Sequence, residues 1–236
     1  MELAAGMIET GELCGINTTA LVTRMNSPLG YAVDNWLELI ECIEIMSSPE
    51  AALSELSKDL VNLTLALAGQ MLAQGGKACN LKDGFNKAKE NLLNGKAWNK
   101  FREMVAAQGG DVKTIEFPDQ YVQAKFSAEV KSSKTGYVAF EVGLVGVQIG
   151  AGRQTVDDSI DKTAGILFRK RPGLHVIEGD VLATVYTERG DQLANAVQRI
   201  LDSFTFSDDQ TELPPLITNF VTSEGVESFD QSIFEG

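Results

Sequence analysis

The spacing of apolar residues changes near residue 110, and this change limits the folds that the chain can adopt. Up to about Ala107, apolar residues recur every three or four positions, which is the period of an amphipathic helix. After Pro118 they occur in short runs rich in β-branched residues, separated by glycine, lysine, aspartate and proline. The sequence therefore predicts a chain of the α+β or α/β class, with its strands concentrated in the second part.

The first part contains several predicted helices and one predicted strand. Leu56, Leu60, Leu63, Leu67 and Met71 recur at helical spacing, so they are expected to line one face of a helix from Ala52 to Leu72. The other predicted helices span residues 2–12, 34–46, 85–93 and 97–107, and the strand spans 18–25. The helix, strand, helix order predicts the edge of a split α/β domain with a parallel or mixed sheet.

The second part contains short predicted strands between turn signals such as Arg171-Pro172-Gly173, and a helix over residues 192–201. A small β-rich domain of the barrel-sandwich or hammerhead kind is predicted. The expected organisation is an α/β segment over 1–108, a linker over 109–118, the β-rich domain over 119–207 and an acidic tail over 208–236. Eight acidic residues and no lysine or arginine follow Leu201, which predicts a flexible tail.

Composition limits the partners and the compartment. The formal net charge of -13 opposes binding to nucleic acid or to an anionic membrane. No basic leader precedes an apolar stretch, and no run of about 18 apolar residues occurs. Three widely spaced cysteines, Cys14, Cys42 and Cys79, favour a reducing compartment and argue against a zinc site. A cytoplasmic location is predicted.

Three groups of polar residues in the second part could carry chemistry. His175 is the only histidine, which excludes mechanisms that need two histidines and favours a structural or solvent-facing role. Gly150 to Arg153 could contact an anion, although a tight turn is favoured because no third glycine or helix follows. Asp157, Asp158 and Asp161 could bind a metal, but they lack the spacing of a calcium loop and favour a solvated turn.

Glu38, Glu41 and Glu44 lie three residues apart on the predicted helix over 34–46 and share a face. Most such rows of carboxylates are solvated. Glu41 lies nearest to the apolar side of the helix, so it is the member expected to be partly buried. A buried carboxylate requires a cation or hydrogen-bond donors.

Several segments in succession resemble the thymidine and pyrimidine-nucleoside phosphorylases. The segment INTTALVTRMNSPLGYAVDNWLELIECIE is similar to their pattern TTALxTDMxxPLGxAVGNALEVxEAI, and NGKAWNKFREMVAAQGGD is similar to NGKAxxKFxxMVxAQGGD. The segment IGAGRQTVDDSIDKTAGILFRKRPGLHVIEGDVLATVYT resembles their carboxyl-terminal domain. The resemblance covers roughly residues 3 to 202 and corresponds to the carboxyl-terminal half of these enzymes.

The resemblance implies a glycosyltransferase of nucleoside salvage, in which phosphate attacks C1 of a pyrimidine nucleoside and releases the base and a pentose 1-phosphate. Phosphate is then a co-substrate, no organic cofactor is required, and a homodimer is implied. The family's KxSxGGxGD phosphate loop and its base-binding residues do not occur in this sequence. No catalytic residue is therefore assigned, and this chain alone is expected to be inactive.

The resemblance also implies part of a potassium site, formed by Leu29, Ala32 and Glu41 together with two ligands that this sequence lacks. Carbonyl oxygens and one carboxylate suit such a hard cation. Weak affinity is expected from this partial site.

The sequence departs from the family pattern at three positions. Arg24 stands where aspartate is usual, Asp34 stands where glycine is usual, and Trp36 stands where a small alanine is usual. Trp36 is expected to overpack the family arrangement. These departures support an alternative interpretation, a non-catalytic protein-interaction module derived from the family. A biotinyl or lipoyl carrier role suggested by GDVLATV is disfavoured, because no lysine occupies a suitable hairpin tip.

Overall fold

The computed structural model describes residues 1–25, 27–140, 149–153, 159–210 and 213–235. The helices are α1 (Glu2–Leu13), α2 (Asn35–Ser47), α3 (Pro49–Ala52), α4 (Lys58–Gln74), α5 (Leu81–Leu93), α6 (Lys96–Ala107), α7 (Val112–Glu116) and α8 (Gly190–Ser203). The strands are β1 (Ala20–Thr23), β2 (Ala32–Val33), β3 (Phe126–Lys131), β4 (Gly136–Phe140), β5 (Gly165–Phe168), β6 (His175–Val176), β7 (Val181–Thr187), β8 (Phe204–Ser207), β9 (Ile217–Thr222) and β10 (Gly225–Ser228).

The chain forms two compact units, each built from segments that are distant in the sequence. Unit 1 consists of Met1–Met25, Asp59–Asn91 and Pro214–Gly236, and unit 2 consists of Asn26–Lys58 and Leu92–Leu213. This division differs from the boundaries predicted at residues 108, 118 and 207. Sequence patterns locate the ends of elements, whereas the units arise from pairing between segments far apart in the chain.

Unit 1 contains an antiparallel sheet in the order β1, β9, β10. Ala20 lies opposite Val221 and Leu21 lies opposite Phe220, so the strand predicted near residue 20 pairs with the end of the chain. The prediction of a parallel or mixed sheet at β1 is therefore wrong. The segment predicted as a flexible tail forms β9 and β10, because ITNFVT and GVES are strand-like runs on either side of a two-residue turn.

Helices α4 and α5 cross closely in unit 1, where each contributes a glycine. A Cβ atom added at Gly69 would lie 2.6 Å from the backbone nitrogen of Phe85, and one added at Gly84 would lie 2.2 Å from the carbonyl oxygen of Gly69. Two residues of the predicted apolar row, Leu67 and Met71, are 47% and 72% exposed, so the row does not lie wholly on the packed face of α4. Leu63 of the predicted row is buried together with Val61, Leu65 and Ala66, so the packed face of α4 is shifted from the predicted row and overlaps it at Leu63.

Unit 2 contains two antiparallel sheets, one in the order β2, β5, β7, β3 and one in the order β6, β4, β8. Their inner faces and α8 enclose an apolar core that includes Val130, Ile166, Leu182, Val185 and Ile200. The structure thus has mixed helices and small antiparallel sheets, which confirms the predicted α+β class. Most of the predicted strand run LVGVQI lies outside the described residues.

A second apolar cluster in unit 2 surrounds the first turn of α2. Trp36 is 8% exposed, and its ring centroid lies 4.1 Å from that of Tyr121. Ile43 and Ile115 are buried in the same cluster. Because Ile115 belongs to α7, the segment predicted as a linker packs into the cluster rather than crossing open solvent. The indole ring of Trp36 thus lies among large side chains, and the overpacking expected at this position stays a prediction.

In the part of the chain that the structure describes, no helix is both long enough and apolar enough to span a membrane. Cys14, Cys42 and Cys79 are all free thiols.

Candidate functional site

The carboxylate of Glu41 is the candidate site that the structure supports with the most contacts. Glu41 lies on the second turn of α2 and is only 1% exposed, which confirms the burial expected from its position beside the apolar face. Glu38 and Glu44 on the same helix are exposed. A buried carboxylate is costly unless donors or a cation compensate for the loss of water.

Hydrogen-bond donors of the chain surround this carboxylate. The backbone N–H of Tyr31 donates to both oxygens, at 3.1 and 3.2 Å, and the N–H of Ala32 donates to Oε2 at 2.9 Å. The hydroxyl of Ser57 donates to Oε1 at 2.7 Å. Gly30 lies so close that an added Cβ atom would be 2.3 Å from Oε1, so the turn before β2 wraps directly around Glu41.

The charge state of this cluster reflects its burial. Burial raises the pKa of Glu41, and the hydrogen bonds from Ser57, Ala32 and Tyr31 oppose that rise. The hydroxyl of Tyr31 donates to the carboxylate of Glu44, and burial together with this acceptor raises the pKa of the Tyr31 phenol. The phenol therefore stays protonated at neutral pH and acts as a donor.

The structure brings two of the three residues of the predicted potassium site into contact. Ala32 bonds directly to Glu41, and Leu29 lies in the turn that leads into β2. A carboxylate offers about four lone pairs, and four hydrogen-bond contacts reach the oxygens of Glu41. These contacts come from three donor groups, because the N–H of Tyr31 makes two of them, and the observed groups fit a carboxylate stabilised by the chain itself. The potassium site remains a prediction.

The entry into α2 has a strained backbone. Asp34 has a φ of 78° and Asn35 a φ of 45°, values that side chains other than glycine rarely adopt. The N–H of Asp34 donates to the carboxylate of Glu38 at 2.7 Å. The side-chain amide of Asn35 donates to the carbonyls of Ala151 and Asp161, at 3.0 and 3.1 Å, and so connects α2 with the loop before β5.

Asp161 organises the loop before β5. Its carboxylate accepts from the N–H of Glu188 at 2.7 Å and from both the N–H and the hydroxyl of Thr163, at 2.9 and 2.8 Å. Burial opposes ionisation here, but the hydrogen bonds from Glu188, Thr163 and Ala164 outweigh it and lower the pKa of Asp161. Asp161 therefore lies at a turn, as expected, but it is only partly exposed and the turn leads into β5, while Asp157 and Asp158 lie outside the described residues.

The remaining candidates have structural surroundings. Gly150 has a φ of 103°, its carbonyl accepts from the N–H of Asp161 at 2.8 Å, and Arg153 is exposed. The tight turn favoured for the glycine-rich segment stays a prediction, because residues 154–158 lie outside the described residues. His175 is exposed, with its ring 5.2 Å from that of Tyr137. Among the described residues, no group of three or more His, Cys, Asp or Glu side chains is arranged to hold a metal ion.

Sequence reasoning did not find two of the groups around Glu41. Ser57 comes just before α4, where a serine usually caps the helix, but its hydroxyl donates to Glu41 instead. Tyr31 contributes through its backbone N–H, which carries no sequence signal. The glycine of PLG, Gly30, was the one available clue to a close backbone approach.

Comparison with known proteins gives this site a family context. Residues 135–207 match a family model described as "Pyrimidine nucleoside phosphorylase C-terminal domain". A pyrimidine-nucleoside phosphorylase from Staphylococcus aureus is 35% identical over 224 residues, which cover 93% of this chain and 50% of the relative. One from Staphylococcus epidermidis is 34% identical over the same extent.

The chain is related to the pyrimidine-nucleoside phosphorylases. It spans about half the length of the curated relatives that it matches. The match to the carboxyl-terminal domain model, together with similarity over 93% of the chain, supports the carboxyl-terminal half of this family. The residues that match this domain model include the loop organised by Asp161, strands β4 to β7 and α8.

Proposed function

We propose that this chain provides the carboxyl-terminal half of a pyrimidine-nucleoside phosphorylase, acting in the cytoplasm on pyrimidine nucleosides with inorganic phosphate as co-substrate. The observation that carries the proposal is the similarity to such enzymes over 93% of the chain. The reaction is the transfer of a pentosyl group from a pyrimidine base to phosphate. A homodimer is part of the proposal.

The chain of 236 residues is proposed to be inactive when it is alone. Phosphorolysis requires a group that holds phosphate and groups that stabilise the departing base. The sequence contains no KxSxGGxGD segment, which is the phosphate loop implied by the family resemblance. His175 is exposed and is the only histidine of the sequence. Among the described residues, it belongs to no cluster of metal-ligating side chains.

Within this proposal, Glu41 has a positioning role. Its carboxylate fixes the turn of Tyr31 and Ala32 against α2, and Leu29 lies in the same segment. If a complementary half supplied two more oxygen ligands, the carbonyls of Leu29 and Ala32 and the carboxylate could share a potassium ion after local rearrangement. The ion would then stabilise this turn rather than take part in bond breaking.

The test is phosphate-dependent release of thymine from thymidine and uracil from uridine, followed by ultraviolet difference absorbance. The purified chain alone should give no turnover. Adding a polypeptide that carries the first half of the Staphylococcus aureus relative should produce turnover, whereas that polypeptide alone should not. Turnover by the isolated chain would overturn the proposed inactivity, and variants Arg153→Ala and His175→Ala would then locate its phosphate and base contacts.

If no complementary half restores activity, the alternative of a non-catalytic interaction module gains support. One structural feature favours that alternative: unit 1 carries a groove with an apolar floor and an acidic rim.

A further inference from the structure

Unit 1 carries a groove of about 540 Å³ between α1 and the hairpin formed by β9 and β10. It is lined by Ala5, Ile8, Glu9, Glu12 and Leu13 of α1 and by residues 221–226 of the hairpin. We propose that this α1–hairpin groove binds an extended segment of a protein partner in which apolar side chains alternate with lysine or arginine. Nothing in the phosphorylase resemblance assigns this surface.

The floor of the groove is apolar. Ile8 and Val221 are buried there, while Leu13 and Val226 at its sides are 83% and 52% exposed. Val226 lies opposite Val221 in the antiparallel register, so the two side chains share one face of the hairpin. Exposed aliphatic groups next to a buried apolar floor are stabilised when a partner covers them.

The rim of the groove is acidic. Glu9, Glu12 and Glu224 line it, and no basic residue is among the lining residues that the structure describes. Glu12 accepts a hydrogen bond from the N–H of Thr18, which fixes one carboxylate at the rim. With a net charge of -13 on the chain, an acidic segment would be repelled, whereas lysine or arginine would complement the rim.

The hairpin offers backbone groups as well as side chains. Among the described strands, β10 pairs only with β9, and all four of its residues are exposed. An open strand edge can accept an extended segment through main-chain hydrogen bonds. Glu227 on β10 places a further carboxylate beside this edge, so a basic strand is favoured over a neutral or acidic one.

The proposal is independent of phosphorolysis, because the groove uses only residues of unit 1 and none of Leu29, Ala32 or Glu41. The probe is a fluorescein-labelled peptide of alternating valine and lysine, and the control is a peptide of alternating valine and glutamate. Fluorescence anisotropy with the full chain should show binding of the lysine peptide and no binding of the glutamate peptide. Binding should weaken as salt is added.

Groove variants separate this site from general attraction to an acidic protein. Val226→Asp should weaken binding of the lysine peptide at least about tenfold, while Val122→Asp, at an exposed position in unit 2, should leave it unchanged. The double variant Glu9→Gln and Glu224→Gln should weaken binding of the lysine peptide about fivefold. The pair Glu50→Gln and Glu90→Gln makes the same change in net charge at exposed positions outside the groove and should have little effect.

Equal effects of the groove pair and the control pair would overturn the proposal, since binding would then depend on net charge alone. Analytical ultracentrifugation tests whether a second copy of the chain occupies the groove. A dimer that Val226→Asp dissociates would show that a second copy of the chain fills the groove, and it would also overturn the proposal. If Val226→Asp unfolds the protein by circular dichroism, the glutamine pairs still decide the outcome.

Discussion

The hydroxyl of Ser57 donates a hydrogen bond to Oε1 of Glu41 at 2.7 Å, across 16 residues of sequence. Both side chains are 1% exposed, so this bond lies in the interior of unit 2. It joins the segment just before α4 to the middle of α2, while the same carboxylate holds the turn before β2. One acidic side chain thus fixes three segments of the chain.

The first prediction concerns the hydrogen bonds of Glu41. Glu41→Gln puts an amide N–H₂ where one oxygen now accepts, so the N–H of Tyr31 keeps only one of its two contacts and the hydroxyl of Ser57 has to accept instead of donate. The free energy of unfolding should fall by about 1–3 kcal/mol. Urea denaturation at pH 7 measures it. Glu90→Gln, at an exposed position on α5, should change stability by less than about 0.5 kcal/mol.

The second prediction concerns potassium. Three donor groups of the chain already compensate the carboxylate of Glu41, and two of the ligands implied by the family resemblance are lacking in this sequence, so potassium should bind this chain weakly. The melting temperature should therefore be the same in potassium chloride and in choline chloride at equal ionic strength, because a ligand stabilises only when its concentration approaches its Kd. A rise specific to potassium that Glu41→Gln abolishes would instead establish the metal site in the isolated chain.

The third prediction concerns the backbone at Asp34. With a φ of 78°, Asp34 occupies a conformation that glycine adopts freely, and its Oδ2 is buried without a hydrogen-bond partner among the described residues. Asp34→Gly should raise the free energy of unfolding by about 1 kcal/mol. Asp34→Ala removes the buried oxygen but keeps the backbone strain of a positive φ, so the free energy of unfolding should rise by less than in Asp34→Gly. An equal rise in the free energy of unfolding for both variants would show that desolvation of the carboxylate, and not backbone strain, destabilises the parent protein.

The fourth prediction concerns Trp36. The indole ring packs on Tyr121 within the apolar cluster that includes Ile43 and Ile115. Trp36→Ala should lower the free energy of unfolding by about 3–5 kcal/mol, because it leaves a cavity in this cluster. A neutral or stabilising result would support the overpacking expected from the family's alanine at this position.

The fifth prediction concerns acid stability at Asp161. Its pKa is lowered in the folded protein, so its contribution is present above the unfolded value of 3.8 and is lost as pH falls through the folded pKa. Asp161→Asn should cost about 1–2 kcal/mol at pH 7, and the difference from the parent protein should shrink below pH 3.8. Urea denaturation at several pH values measures it. Asp209→Asn, at an exposed position, is the control and should change stability at pH 7 by less than about 0.5 kcal/mol.

Local patterns in the sequence determined most of the helices. The helices predicted over 2–12, 34–46, 85–93 and 97–107 correspond to α1, α2, α5 and α6, because apolar spacing and glycine near helix ends act over a few residues. The short apolar runs likewise became β3, β4, β5 and β7. The position of Glu41 beside the apolar side of α2 was enough to predict its burial.

Only the tertiary structure decided which distant segments meet. The antiparallel pairing of β1 with β9 joins residues about 200 positions apart, and strand period alone specifies neither partner nor direction. The donors to Glu41 are backbone N–H groups and a serine that sequence would assign to a helix cap. Likewise, Leu67 and Met71 fit the helical period but face solvent, because burial depends on where neighbouring segments pack and not on period alone.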